Sequence, residues 1–270
     1  MSKITRYLVV ILIVFSCTVK ENHENTKADK ATDNYSQVPK VLKDAWLAHG
    51  SVDVWKSYSM LEYDMDVELN DHRGSEHQTI ALDSRRIMIE GKGYSIGFDG
   101  KDVWALPAVD SIEISPRFYH SLFFYFFAIP MVLSDPGINY EELEPLETDS
   151  ITYSRLRISF DIGVGDSPED YYILHFNSET KRLEWLLYTV TYFSGEAHER
   201  FNGLLYQDYR ETHGLLMPHR LIGRRYSDGM LGAIRYHAYF SNVKFVKEAP
   251  EDDMFAMPEG AEIDSLLNND

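Results

Sequence analysis

Alternation at period two, sustained over long stretches, is what most constrains this chain. Leu61, Tyr63, Met65, Val67 and Leu69 interleave with Glu62, Asp64, Asp66 and Glu68. Successive side chains of a strand point to opposite faces, so this stretch predicts a strand with one buried and one wetted face. Leu156, Ile158, Phe160 and Ile162 repeat the pattern against Arg155, Arg157, Ser159 and Asp161. Further runs at 80–89, 94–98, 103–106, 172–176, 183–191, 204–210, 215–226 and 233–246 are separated by turn residues such as Asp99-Gly100 and Ser227-Asp228-Gly229. The reading gives roughly ten long strands in sequential meander order. That many twisted strands curl or close, and the apolar face of a curled sheet must be covered.

One segment is large enough to cover it. Residues 118–133 read Phe-Tyr-His-Ser-Leu-Phe-Phe-Tyr-Phe-Phe-Ala-Ile-Pro-Met-Val-Leu. The run is short of the ~20 residues of a membrane span and is broken by His120, Ser121 and Pro130. As a helix it is apolar nearly all round, which requires burial on several sides. Ser115-Pro116 suits its start, Pro130 breaks it, and Asp135-Pro136-Gly137 stops it. Phe118, Tyr119, Leu122, Phe123, Phe126, Phe127 and Met131, with Trp104 and Trp185 from the strands, are the candidate lining of an apolar cavity. A plain core filled by the same residues is the alternative, and the residues alone leave both open. Before the strands, Pro39 opens a helix with Val41, Leu42, Ala45 and Trp46 at helical spacing, closed by His49-Gly50. Val52 and Trp55 fit a second turn. The fold class expected is mainly β with α: a curled antiparallel half-barrel, a covering apolar helix and an N-terminal helix.

The N-terminus carries a different message. Lys3 and Arg6 precede an unbroken apolar run from Leu8 to Phe15, followed by Ser16-Cys17. Its length and flanks are those of a secretory signal peptide. The small residue before the cysteine resembles the lipobox of bacterial lipoproteins, which implies cleavage before Cys17 and lipidation of Cys17. The expected organisation is a signal peptide over 1–16, a lipidated flexible tether over 17–37, one domain over 38–263 and a tail over 264–270. Cys17 is the sole cysteine, so no internal disulfide forms. The location expected is the cell envelope, lipid-anchored at the outer membrane, facing the periplasm or the exterior.

Formal net charge is −17. Such a body repels nucleic acid, and no protein partner or cofactor is indicated. His213 and His219 flank a turn and His237 sits on the next strand, without the convergent spacing a metal needs. Gly93-Tyr94-Ser95-Ile96-Gly97 has the spacing of a nucleophile elbow but lies inside a strand pattern, so no catalytic residue is assigned. Arg85-Arg86 and Arg224-Arg225 straddle both strand faces. An inward member would suit a headgroup or carboxylate, whereas an outward one pairs with surface acids.

Together these features look like the LolA/LolB-like outer-membrane lipoprotein-sorting superfamily. The similarity rests on Gly97-Phe98-Asp99-Gly100-Lys101-Asp102-Val103-Trp104, on Pro116-Arg117-Phe118-Tyr119-His120 with the aromatic run after it, and on Phe255-Ala256-Met257-Pro258-Glu259-Gly260-Ala261. The resemblance implies an incomplete barrel closed by helices that binds an acyl chain or other apolar ligand without catalysis. An anchored chain suits an acceptor better than a shuttle. The alternative is a structural or protein-interaction lipoprotein. Cys17→Ala is expected to move the protein from the membrane to the soluble fraction, because the acyl chains that hold it would be absent. A variant that still sediments with membranes contradicts the lipidation.

Overall fold

The alternating segments pair into one antiparallel sheet of thirteen strands. In chain order these are β1 Met60–Leu69, β2 His72–Ala81, β3 Ile87–Gly91, β4 Tyr94–Phe98, β5 Val103–Leu106, β6 Ile138–Glu147 and β7 Thr152–Phe160. They continue as β8 Tyr172–Asn177, β9 Leu183–Tyr188, β10 Asn202–Thr212, β11 Leu215–Ser227, β12 Met230–Val246 and β13 Glu262–Asp264. Helices α1 Lys40–Ala48 and α2 Val52–Lys56 precede them, and α3 Pro116–Tyr119 and α4 Leu122–Ala128 lie between β5 and β6. The computed structural model describes residues 35–69, 72–163, 165–194, 200–251 and 253–265. The expected leader, Cys17 and the tether up to residue 34 lie outside the described residues. Residues 38–270 form one unit, and its described core is built from that unit alone.

Strand order is β13-β5-β4-β3-β2-β1-β12-β11-β10-β9-β8-β7-β6. The sheet does not close on itself, so it is a half-barrel with edges at β13 and β6. It is also not one sequential meander. Two meanders, β1–β5 and β6–β12, are joined where β1 pairs with β12 from Met60↔Val246 to Leu69↔Tyr236. The count exceeds the roughly ten strands read from alternation. The run at 80–89 belongs to two strands, β2 and β3, and the two strands wholly absent from that reading, β6 and β13, are the edges. β6 runs Ile-Asn-Tyr-Glu-Glu-Leu-Glu-Pro-Leu-Glu, and its register slips between Leu143 and Leu146, around Pro145. Glutamates and a proline keep an exposed edge from pairing with another chain, and they also erase apolar alternation. β13 is three residues long and extends the fold to Asp264, one residue into the expected tail.

The two faces of the sheet follow from the registers. Leu61, Ile80, Ile87, Phe98 and Val103 stand in one row on the concave face, and all but Phe98 are fully buried. Leu156, Leu174, Leu186 and Leu204 make the matching row on the other half. The acidic residues of β1 face outward, as the alternation predicts. Glu62 meets Lys244, Glu68 meets Arg73, and Asp64 accepts from Asn242 and pairs with His77. The row next to Val103 belongs to the outer face. There Trp104 lies over Gly97, where a Cβ would sit 2.2 Å from its indole ring. Its Nε1 donates to Phe255 O at 3.2 Å, so the C-terminal segment covers this ring.

α1 is clamped to the sheet by His49. The imidazole is buried, accepts from Leu183 N at Nε2 (3.2 Å) and so donates from Nδ1 to Leu216 O (3.0 Å). Burial lowers its pKa from 6.5 to about 4, against a smaller raising effect of the Leu216 hydrogen bond. His175, stacked on Trp185 with ring centroids 3.4 Å apart, is likewise lowered by burial to about 3. Both are neutral in the fold and take up a proton near pH 6.5 once unfolded. Stability is therefore complete above pH 6.5 and falls as pH drops toward 4 and then 3, by ~3 kcal/mol for His49 alone. Urea unfolding at stepped pH is expected to show this fall, and a shallower one in His49→Asn. A flat profile between pH 6.5 and 4 contradicts the clamp.

Candidate functional site

β5 ends beside the β13 edge, while β6 is the opposite edge, so residues 107–137 must pass from one side of the sheet to the other. They do so across the concave face. α3 starts where Ser115 Oγ accepts from Phe118 N at 3.3 Å and Pro116 occupies the first turn. Asp264 of β13 adds a second support, accepting from Ser115 Oγ (3.0 Å) and Arg117 N (2.9 Å). α4 ends at Ala128, before Pro130, and a 3₁₀ turn follows at Met131–Ser134. The single broken helix expected from sequence is thus three short pieces, because His120-Ser121 interrupts the first part and Pro130 the last.

Side chains of this segment fill the concave face. Phe124, Phe127, Ala128 and Met131 have no exposed surface. Phe127, Tyr63 and Phe240 form a triangle of rings with centroids 4.7–5.2 Å apart. Phe126 meets Tyr188 at 4.8 Å and Phe123 meets Tyr236 at 5.8 Å. Carbonyls near the C-terminal end of α4 and beyond have no helical partner, and aromatic side chains of the surrounding elements supply donors. Tyr206 OH donates to Phe126 O (2.9 Å), Trp46 Nε1 to Pro130 O (2.9 Å), and Tyr140 OH to Leu133 O (2.6 Å). Arg85 pairs with Asp135, and its guanidinium lies 5.6 Å from the centre of the Phe124 ring. Its neighbour Arg86 goes the other way, over Phe255 at 5.0 Å. The basic pair therefore straddles the faces, and its inward member binds a carboxylate of the chain itself.

A polar cluster sits at the α3 end of this face. Glu76 of β2 is buried, and accepts from Tyr119 OH (2.9 Å), Tyr94 OH and Gln78 Nε2 (2.9 Å). Gln78 in turn accepts from Tyr63 OH at 2.7 Å. Tyr94 reaches Glu76 by lying across Gly91, where a Cβ would stand 2.2 Å from its ring. Burial, reinforced by the nearby Glu76 carboxylate, pushes the Tyr63, Tyr94 and Tyr119 hydroxyls well above their usual range, so they remain donors.

The nine candidate lining residues separate into three groups. Phe123, Phe126, Phe127 and Met131 are buried together on the concave face, with Leu122 half-buried beside them and Tyr119 bonded to Glu76. Phe118 lies at the rim, against Tyr192 and Phe193 at 5.3 and 4.9 Å. Trp104 and Trp185 are on the other face. Trp185 pairs with Leu205, the neighbour of the inward Tyr206, and lines an outer groove of about 770 Å³ with Tyr153, Arg182, Gln207 and Leu231. A second groove of about 460 Å³ lies between Arg200, Phe201, Asn202 and Tyr226. The candidate lining left out Trp46, Tyr63, Glu76, Phe124 and Tyr206. Of these, Tyr63 and Tyr206 were legible from strand parity, whereas Glu76 carried no mark to separate it from an outward acid. His213, His219 and His237 are engaged separately, with Phe245 N, Phe240 O and Arg220. Among the described residues no group of three metal-binding side chains converges, and no helix is long and apolar enough to cross a membrane.

No family model matches this chain, and no curated protein sequence matches it. Solved structures do. A LolA superfamily protein of Nitrosomonas europaea superposes with a TM-score of 0.51 at 12% identity, over 80% of this chain and 96% of that one. An outer-membrane lipoprotein-sorting protein domain of Vibrio parahaemolyticus gives 0.50 at 7% identity, over 79% and 94%. The fold is therefore LolA-like: an open, curled antiparallel half-barrel with helices on its concave face.

The placement of the rings predicts unequal costs. Phe127→Ala is expected to lower the urea-unfolding free energy by about 3–5 kcal/mol, because a cavity opens among Tyr63 and Phe240. Trp185→Ala, on the outer face, is expected to cost roughly 1–2 kcal/mol. Equal costs, or the reverse order, contradict the assignment of faces.

Proposed function

We propose that this chain is an envelope lipoprotein, anchored through Cys17, whose half-barrel takes an acyl chain or another apolar ligand against its concave face without catalysis. The observation that carries the reading is that the aromatic segment 116–134 covers an apolar sheet face to which it contributes no strand. It touches that face through rings and is fixed by side chains alone: Tyr206, Trp46 and Tyr140 donate to its carbonyls, Tyr119 donates to Glu76, Arg117 N donates to Asp264 and the Arg117 guanidinium pairs with Asp166. Such a cover can be lifted without breaking a strand pairing. Beneath it, leucine and isoleucine rows run along both halves of the sheet, and each methylene transferred from water to such a surface contributes about 0.8 kcal/mol. The LolA-like fold supports the same reading, since one of its solved relatives is described as a lipoprotein-sorting domain.

The complete burial of Phe124, Phe127 and Met131 favours a second reading, in which the segment is permanent core and the protein acts through its surface. The two part company in one experiment. The purified chain is examined by native mass spectrometry for co-purified lipid and titrated with a fluorescent long-chain fatty acid. Saturable uptake, displaced by unlabelled fatty acid and weakened by Leu186→Glu on the concave face, is expected. A chain that carries no lipid and takes up no probe is a filled-core protein.

A further inference from the structure

One arginine on the concave side has its partner in the cover itself. Arg85 lies in the turn between Ile80 and Ile87 of the concave row, and its guanidinium stands 5.6 Å from the centre of the buried Phe124 ring. It donates to Leu82 O and pairs with the Asp135 carboxylate, the two side chains being 20% and 30% exposed. Asp135 belongs to the end of the cover, since its N donates to Val132 O (3.1 Å) in the 3₁₀ turn. Lifting that turn takes the carboxylate away from Arg85. The start of the cover has the opposite charge. There Glu76, Asp166 and Asp264 surround α3, and the guanidinium among them, Arg117, is paired with Asp166 at 2.8 Å. The other charged groups of the β2–β3 turn are Asp83, which is exposed, and Arg86, turned outward over Phe255.

We infer that Arg85 is the head-group site of the concave face and that Asp135 fills it in the free protein. The ligand is then an amphiphile with a carboxylate or phosphate head. The inference rests on the reading that this face takes an apolar chain, and adds the class of chain. A guanidinium largely shielded from water is costly to leave without its carboxylate, whereas exchanging one carboxylate for another is not. A neutral ligand that lifts the cover leaves Arg85 unpaired at the margin of an apolar face. An anionic head restores the pair, through the same parallel N–H donors that suit carboxylates and phosphates alike. Its tail then starts at Ile80 and Ile87 and follows the apolar rows. The reverse orientation would set a second anion beside Glu76, which is buried and poorly screened. Charge thus fixes the direction of the ligand as well as its class. Asp135 competes with the head group, so the closed cover and the loaded site exclude each other.

The test uses the chain from residue 18 onward, stripped of co-purified lipid, which keeps the whole compact unit. Calorimetric titration at about pH 8, where carboxylic heads are ionised, compares dodecanoic acid, dodecyl phosphate and dodecanol. Binding of the ionised amphiphiles is expected, with dodecanol weaker by about tenfold or more. The tighter of the two ionised probes tells a fatty acid from a phosphate-headed lipid as the source. Arg85→Gln is expected to remove the preference, so that acid and alcohol bind alike. Asp135→Asn is expected to tighten dodecanoic acid by roughly threefold or more, because the internal competitor is gone. An ion pair that merely holds the fold would act in the same direction when broken from either side. Arg86→Gln, on the outward side of the same turn, is expected to bind like the native chain. Native protein that takes acid and alcohol alike, Arg85→Gln that keeps the preference, or Asp135→Asn that binds acid more weakly would each overturn the inference and leave the cavity reading standing. A chain that takes up none of the three amphiphiles overturns both.

Discussion

Everything on the concave side follows from where one connection must go. β1 pairs with β12, so the first meander ends near one edge of the sheet and the second begins at the other. The chain between β5 and β6 cannot take the short path of a hairpin. It must travel over the open face, and an apolar face admits only a segment that is apolar on several sides. The sequence Phe123 to Phe127 meets that demand with four phenylalanines around Tyr125, the one ring of the five left partly exposed. Crossing and covering are therefore one event.

A buried crossing raises a second requirement, for hydrogen bonds. Short helices leave carbonyls without partners, and each one buried unpaired would cost of order 1–3 kcal/mol. The surrounding elements answer with the long aromatic donors Trp46, Tyr140 and Tyr206, which present apolar rings to the core and one polar atom to the segment. At the far end, Glu76 works in reverse, as an acceptor for Tyr94 and Tyr119. His49 ties the N-terminal helix to two strands in the same manner, using both ring nitrogens. The interior is thus joined by single bonds between neutral rings and backbone, with Arg85–Asp135 as an ion pair at its margin.

Much of this architecture was legible beforehand. The alternation of Leu61 to Leu69 assigned both faces of β1, the Asp99-Gly100 turn closed a hairpin, and Pro116 and Pro130 bracketed the cover. What escaped notice has physical causes. β6 was hidden because an edge strand is rich in the glutamates, and here a proline, that discourage further pairing. Trp104 and Trp185 were grouped with the cavity by size and type, yet parity places each one residue out of phase with inward neighbours such as Ala105 and Leu186. β5 is buried on both faces, by the cover on one side and by Phe255 on the other, so hydrophobicity there could not say which way a ring points. Glu76 was hidden because a carboxylate inside is the exception its partners create, and those partners come from β2, β4 and α3.

The central claim is that the aromatic segment is a cover seated where an apolar ligand binds. Hydrogen exchange at the amides of residues 122–134, with and without a saturating long-chain fatty acid, addresses it directly. The account predicts slow exchange in the free protein, and faster exchange in this segment alone once ligand displaces it, with β1 and β12 unchanged. Ligand binding that leaves the segment as protected as before would contradict the account.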